Sequence, residues 1–502
     1  MERHPARERF VSCWREIRAV QSAEQVLEWD QETYMPAAGA EARARTLATL
    51  AGIKHARLTA PELSEAVATL ASESQAEWQA QAREARRHIR RAAGIPRRLA
   101  EELAQAASAG LAAWEEARRQ RSFAGFAAPL ERLVGLKKEQ AAALADGGNP
   151  YDALLDEFEP GATEVGLLPL FDRLRARLVP LVQAVAERPP VDESSARGDF
   201  PLADQRALGA WVAERIGFDF TAGRLDRSSH PFCLGVDRRD VRLTWRGQEN
   251  DFRPALMGIL HEAGHGLYEQ GLPEAWSGTP LGEPASTAIH ESQSRLWENM
   301  VGRGRPFWRW LLPHLRERFP QHDAALEDLW PALHAIRPSL IRVEADEATY
   351  HLHILVRFEL ERALFAGQLA VGDLPHAWDE LYERNLGLRP RDAAEGVLQD
   401  LHWAMGAFGY FPTYTLGTMA SVQLFAAARR ALGGLDEPLA SGEFAPLLDW
   451  LRREVHTRGA LLEPAELLRE ATGEALSPAP LLEYLEAVAG EVYGVRLQGG
   501  NE

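Results

Sequence analysis

The helical period constrains this chain more than any other feature. Stretches such as "AEARARTLATLAGIKHARL", "LAEELAQAASAGLAAWEEARRQR" and "GLLPLFDRLRARLVPLVQAVAER" place apolar residues at three- and four-residue spacing, with Ala, Leu, Glu and Arg filling the positions between. Pro and Gly punctuate the pattern at "ADGGNPYD", "FEPGA" and "ERPPVDESSARGDFP", the last reading as a long surface loop over 187–201. The one clear β signal is "HPFCLGVDRRDVRLTW" (230–245), two short runs flanking a polar turn, with Asp240–Thr244 alternating as a half-buried strand does. No fixed-period repeat and no strong linker divides the chain. The expected fold is mainly α: one large helical body carrying a small antiparallel β-sheet. A helical portion over roughly 1–200 and a second portion over roughly 201–502 are not independent of each other.

Composition narrows the function classes. A formal net charge of −17 argues against a general nucleic-acid binder, which needs a basic face. The basic run "REARRHIRRAAGIPRRLAEEL" (83–103) reads as a solvated helix face balanced by Glu. Cys13 and Cys233 offer no disulfide framework, which points to a reducing, cytoplasmic setting. No run of about 18 apolar residues occurs, so a membrane span is not expected, and the N-terminus lacks the apolar run of a signal peptide.

The chemistry concentrates in "HEAGHGLY" (261–268). In the helix expected from Arg253 to Tyr268, Pro254 suits the first turn, and Leu256, Ile259, Leu260, Ala263 and Leu267 supply an apolar face. His261 and His265 then lie one turn apart on one side, where both imidazoles reach a single ion. Glu262 is placed to take a proton from an attacking water. Gly264 and Gly266 each weaken the helix by roughly 1 kcal/mol. That cost makes sense if another backbone, such as the 240–244 strand, packs closely there. Two histidines need a third ligand. "LGEPASTAIHESQSRLWENM" (281–300) offers Glu283, His290, Glu291 and Glu298, and spacing favours Glu291 only modestly over Glu298. Arg295 between them reads as a helix anchor.

"HEAGHGLYEQGLP" followed by "GTPLGEPASTAIHESQSRLWENMVGR" closely resembles the carboxypeptidase Taq family of metallocarboxypeptidases. "LEWDQETYMPAAGAEARARTLATL", "NPYDALLDEFEPG", "DVRLT", "IRVEAD" and "GVLQDLHWAMGAFGYFPTYTLG" match the family's other signatures in order. The resemblance implies that Glu291 is the third metal ligand, that the sheet stands beside a deep active-site groove, and that the protein is a homodimer. Cys233, Trp245 and Gly247 depart from the family pattern beside the strand and leave the metal motif intact.

A carboxypeptidase must also grip the terminal carboxylate of its peptide and stabilise an oxyanion. Arg342 in "IRVEAD" and Arg242 in "DVRLT" are the candidates for the first, since a guanidinium matches a carboxylate bidentately. Each has a bland alternative as the ion-pair partner of a nearby Asp. Asp346 is a candidate for orienting a ligand histidine, or for a simple pair with Arg342. His402, Tyr410 and Tyr414 in a Gly-rich run are candidates for the oxyanion and the substrate, with Tyr414 or Tyr410 as the stabilising hydroxyl and His402 as a substrate contact. Gln399 and Asp400 read as structural, and His230, His351 and His353 as ordinary buried or surface histidines. The expectation is release of single C-terminal residues from peptides, with one divalent ion per chain, zinc by default and cobalt as a substitute. The rivals are an endo-acting metallo-oligopeptidase and a helical binding protein with a structural metal.

Overall fold

The computed structural model describes residues 4–497, in which twenty α-helices accompany one three-stranded sheet. The periodic stretches become the helices Ala40–Leu58, Arg97–Gln120 and Glu164–Ala186. Glu164–Ala186 starts at Thr163, whose hydroxyl accepts from the Gly166 N–H, and continues through Pro169 and Pro180. Residues 187–201 form the expected loop, with only a single 3-10 turn at Ser194–Ala196.

The β signal is a hairpin. Strand β2 (Cys233–Asp237) pairs antiparallel with β3 (Asp240–Trp245). A further strand that the sequence did not reveal, β1 (Gly223–Arg227), pairs parallel with the other side of β3. The sheet is therefore mixed, with order β1-β3-β2, rather than purely antiparallel. "GRLDR" hides its strand character because it buries Leu225 and Asp226 side by side instead of alternating. Asp226 tolerates that burial by accepting from Tyr34 Oη at 2.6 Å and from Arg224 Nη2 at 2.8 Å.

The chain forms two compact units, each gathered from three separate stretches. The first comprises Met1–Ala93, Glu193–Leu333 and Ala420–Leu476; the second comprises Gly94–Asp192, His334–Met419 and Ser477–Glu502. In the first unit, the histidine helix (Arg253–Gly271) lies in a core with Leu243 of β3, Trp297, Trp308 and Leu447. Its apolar residues Leu256, Ile259, Leu260 and Leu267 are all buried, each stabilising the fold by about 1.5–3 kcal/mol. The glutamate helix (Thr287–Arg295) begins at Ser286, whose hydroxyl accepts from the Ile289 N–H at 3.0 Å, and widens into a π turn over Leu296–Val301.

The second unit is organised around a buried ion cluster. Arg357, on the helix Thr349–Phe365, donates through Nε to Asp400 Oδ2 at 2.7 Å, and Arg342 donates through Nε to Asp400 Oδ1 at 2.9 Å. Burial disfavours the Asp400 charge, but the two guanidiniums outweigh it and hold the carboxyl well below the usual carboxylate range. Because the folded state binds this proton less readily than the unfolded chain does, the cluster stabilises above the ordinary carboxylate pKa and loses that contribution as pH falls. Asp400→Asn, which strands two buried cations, should cost about 3–5 kcal/mol at neutral pH. The gap to wild type should narrow below about pH 4. Urea denaturation across a pH series measures both.

Candidate metal centre

The metal-site geometry starts from a backbone contact. A Cβ on Gly264 would lie 2.6 Å from Gln293 O and from Ser294 Cα, so the histidine helix meets the glutamate helix there with no side chain between them. The close backbone at this position is that helix and not the 240–244 strand. The strand reaches the neighbouring Gly266 only through the Leu243 side chain, beside the Phe218 ring.

Across this contact His261, His265 and Glu291 converge. His261 Nε2 lies 3.7 Å and His265 Nε2 lies 3.4 Å from Glu291 Oε2, and the three donor atoms all fall within 4.8 Å of one another. Donors at about 2.0–2.1 Å from a tetrahedral ion stand roughly 3.3–3.4 Å apart, so a small divalent cation fits this set with little adjustment. Charge agrees with size. Burial pulls His261 down, yet Glu291, Glu298 and Glu262 leave its pKa above the ordinary value, the mark of a place that favours positive charge. Burial, reinforced by His290, pushes His265 down to about 3, which keeps its imidazole neutral and able to ligate.

Each donor is held from behind. His261 Nδ1 is 2.8 Å from Glu298 Oε2. Arg295 Nε donates to Glu291 Oε1 at 2.7 Å, and its Nη1 to Glu298 Oε2 at 3.1 Å. One oxygen of Glu291 is thus tied to Arg295 while the other faces the histidines. Burial opposes the charges of Glu291 and Glu298, but Arg295 and the histidines outweigh it and hold both well below the usual carboxylate range. His265 Nδ1 is hydrogen-bonded to His290 Nδ1, and His290 Nε2 lies 2.8 Å from Glu269 Oε1. Sequence reasoning overlooked Glu269 and His290 and ranked Glu298 only as a rival ligand. The available signal was the repeat of His261, His265 and Glu269 at one-turn spacing.

Glu262 is 6% exposed beside this centre, and burial pushes its carboxyl up to about 7 against the pull of His261. A bound cation would draw it down again.

The remaining expected residues fall elsewhere. In the second unit Arg342 is buried, donates through Nη1 to Tyr350 Oη at 3.1 Å, and lies 5.1 Å over the Tyr414 ring. Its carboxylate partner is Asp400, not Asp346. His402 Nε2 stands 3.3 Å from Tyr414 Oη, and the Tyr410 ring packs against both at 5.4 and 5.3 Å. Burial pushes His402 down to about 4 despite Asp400, so it is neutral near pH 7. Glu361, which sequence reasoning missed, fixes the run that carries these rings. It accepts from Trp403 Nε1 at 2.7 Å, the Gly409 N–H at 2.8 Å and Tyr151 Oη at 2.9 Å.

Asp346 does not orient a ligand histidine. It accepts from the Ala348 and Thr349 N–H groups and from Thr349 Oγ1, capping the helix that follows, and that leaves its oxygens committed. Arg242, in the first unit, pairs bidentately with Asp240 at 2.9 Å and lies 4.5 Å over the Trp29 ring. His351 and His353 are buried against Thr415 and Tyr382, and His230 is exposed.

His261→Ala, His265→Ala and Glu291→Ala should each lose most of the bound metal on dialysis. Glu298→Ala should stay metal-loaded with affinity lowered about 10–100-fold, as expected for a group that only orients a ligand. Elemental analysis and chelator competition separate the two outcomes.

Similarity to known proteins agrees with this centre. Residues 9–488 match the family model described as carboxypeptidase Taq (M32) metallopeptidase. The chain is 46% identical to thermostable carboxypeptidase 1 of Thermus thermophilus over 484 residues, covering 93% of this chain and 94% of that protein. It is 38% identical to carboxypeptidase 1 of Bacillus subtilis, covering 98% of this chain and 100% of that one. The crystal structure of an M32 carboxypeptidase from Deinococcus radiodurans superposes with a TM-score of 0.95 at 40% identity, covering 98% and 100% of the two chains. With a family match along nearly its whole length, the chain belongs to the carboxypeptidase Taq (M32) family of metallopeptidases.

Proposed function

We propose that the protein is a zinc carboxypeptidase that releases single residues from the free C-termini of peptides, with His261, His265 and Glu291 as the metal ligands. The convergence of these three donors beside a buried Glu262 carries the reading. A divalent ion held there supplies a Lewis acid that polarises the scissile carbonyl and acidifies water. Glu262 takes the proton of the attacking water and returns it to the leaving amine. A tyrosine hydroxyl, from Tyr414 or Tyr410, donates to the developing oxyanion, and His402 contacts the substrate. Arg342 receives the terminal carboxylate. In support, Asp400 sets one carboxylate against the two guanidiniums of Arg342 and Arg357, leaving room for a second anion. The two imidazoles and one carboxylate suit zinc, and cobalt is the alternative ion. Homodimeric assembly rests on the family resemblance. A cytoplasmic location rests on Cys13 and Cys233, both free.

Glu262→Gln keeps the shape and removes the base. It should hold metal near the wild-type level with kcat reduced at least about 10²-fold. A metal-replete, active Glu262→Gln enzyme would refute the mechanism.

The carboxylate clamp separates exo- from endo-cleavage. A charge-assisted hydrogen bond is worth roughly 1.5–3 kcal/mol, so amidated peptides should be cleaved at least about tenfold less well than their free acids. Arg342→Ala should lose activity on the acids and discriminate little between the two. Comparing kcat/KM for matched substrates in both enzymes decides it. Equal cleavage by wild type would sink the carboxypeptidase assignment, and discrimination surviving in Arg342→Ala would move the clamp to another cation, with Arg242 next in line.

A further inference from the structure

The two ligand histidines are supported differently. His261 bonds a carboxylate directly, through Nδ1 to Glu298. His265 reaches a carboxylate only through a second imidazole, by way of Nδ1 of His290 and then Nε2 of His290 to Glu269 Oε1. An imidazole between a ligand and a carboxylate transmits a tautomer. With the His290 proton on Nε2, donated to Glu269, its Nδ1 is an acceptor. It then receives the Nδ1–H of His265, whose Nε2 lone pair faces Glu291 Oε2 at 3.4 Å. With the His290 proton on Nδ1, the direction reverses. Neutral His265 then accepts at Nδ1 and carries its proton on Nε2, the atom that must ligate.

The sheet makes room for the far end of this relay. A Cβ at Gly235 of β2 would lie 2.3 Å from Glu269 Oε2 and 2.4 Å from Glu269 Cδ. The Glu269 carboxylate therefore occupies the space that any other residue of the strand would fill. Glu269, His290, Gly235 and His265 all belong to the first unit.

We propose that Glu269 and His290, seated against Gly235, are positioning residues that lock His265 in its Nδ1–H tautomer and thereby set the affinity of the centre for its metal. The proposal rests on the reading of His265 as a ligand. It predicts that the hydrogen-bonding atoms matter here and not the ring alone.

The test is the zinc dissociation constant of the full-length protein, measured by competition with a chromophoric chelator, together with the visible spectrum of the cobalt-substituted forms. His290→Phe keeps the ring and removes the acceptor, and should raise the zinc Kd about 10–100-fold. His290→Asn, whose Oδ1 takes the place of Nδ1 without a tautomer to choose, should recover most of that loss. Glu269→Gln and Gly235→Ala act at the far end without touching His265, and should each weaken zinc by at least about threefold and shift the cobalt bands. Should His290→Phe fail to fold, these two variants carry the test alone. Zinc Kd within twofold of wild type in His290→Phe, or in both Glu269→Gln and Gly235→Ala, overturns the proposal. An Asn variant no better than the Phe variant does so as well. His265→Ala is the control: if it binds zinc as tightly as wild type, the ligand assignment itself falls. If it loses zinc while the relay variants do not, the ligand stands and only the relay is refuted.

Discussion

The contact at Gly264 is the constraint on which the rest of the metal centre depends. Imidazole and carboxylate side chains are short, and they meet around one ion only if the backbones carrying them come unusually close. A methyl group on residue 264 would stand 2.6 Å from the main chain of the glutamate helix, where no flexible side chain can give way. The helix propensity forgone at this glycine, about 1 kcal/mol, is the local cost of bringing Glu291 to the histidines.

From that contact the charge arrangement follows. Arg295 binds Glu291 and Glu298 together, so one cation orients the third donor and the carboxylate behind His261. The π turn over Leu296–Val301 begins immediately after this arginine and carries Glu298. Such turns are found disproportionately at functional sites, because an irregular hydrogen-bond ladder aims side chains that a regular helix would leave elsewhere. In the second unit, Asp400 plays the role that Arg295 plays in the first, one charge fixing two of the opposite sign.

Much of this was legible in the sequence because helical periodicity is a local signal. The HExxH pair and its apolar face needed only the 3.6-residue repeat, and the β2–β3 hairpin only its alternation. Glu291 was separable from Glu298 only through the order of family motifs, since both lie on one face and the distinction depends on where Arg295 points. Asp346 and Arg242 show the limit of spacing arguments. Asp346 caps its own helix and Arg242 pairs two residues away, local solutions that compete with a role at a site. Strand β1 was invisible because its buried aspartate breaks the alternation, and its partners, Tyr34 and Arg224, are a matter of tertiary contact. The relay through His290 was likewise hidden, as nothing in "IHES" indicates which ring nitrogen faces which neighbour.

The interleaving of the two units also has a consequence for how the protein is made. The core around the histidine helix includes Leu424, Leu447 and Leu467, contributed by the stretch Ala420–Leu476. That stretch leaves the ribosome roughly 125 residues after Arg295, an interval of about 6–25 s at ordinary rates of synthesis. Through that time the nascent histidine helix holds an apolar flank whose final cover does not yet exist. Completion of the first unit is thus post-translational in character, governed by the arrival of a late segment and not by the local order in which the metal ligands are translated.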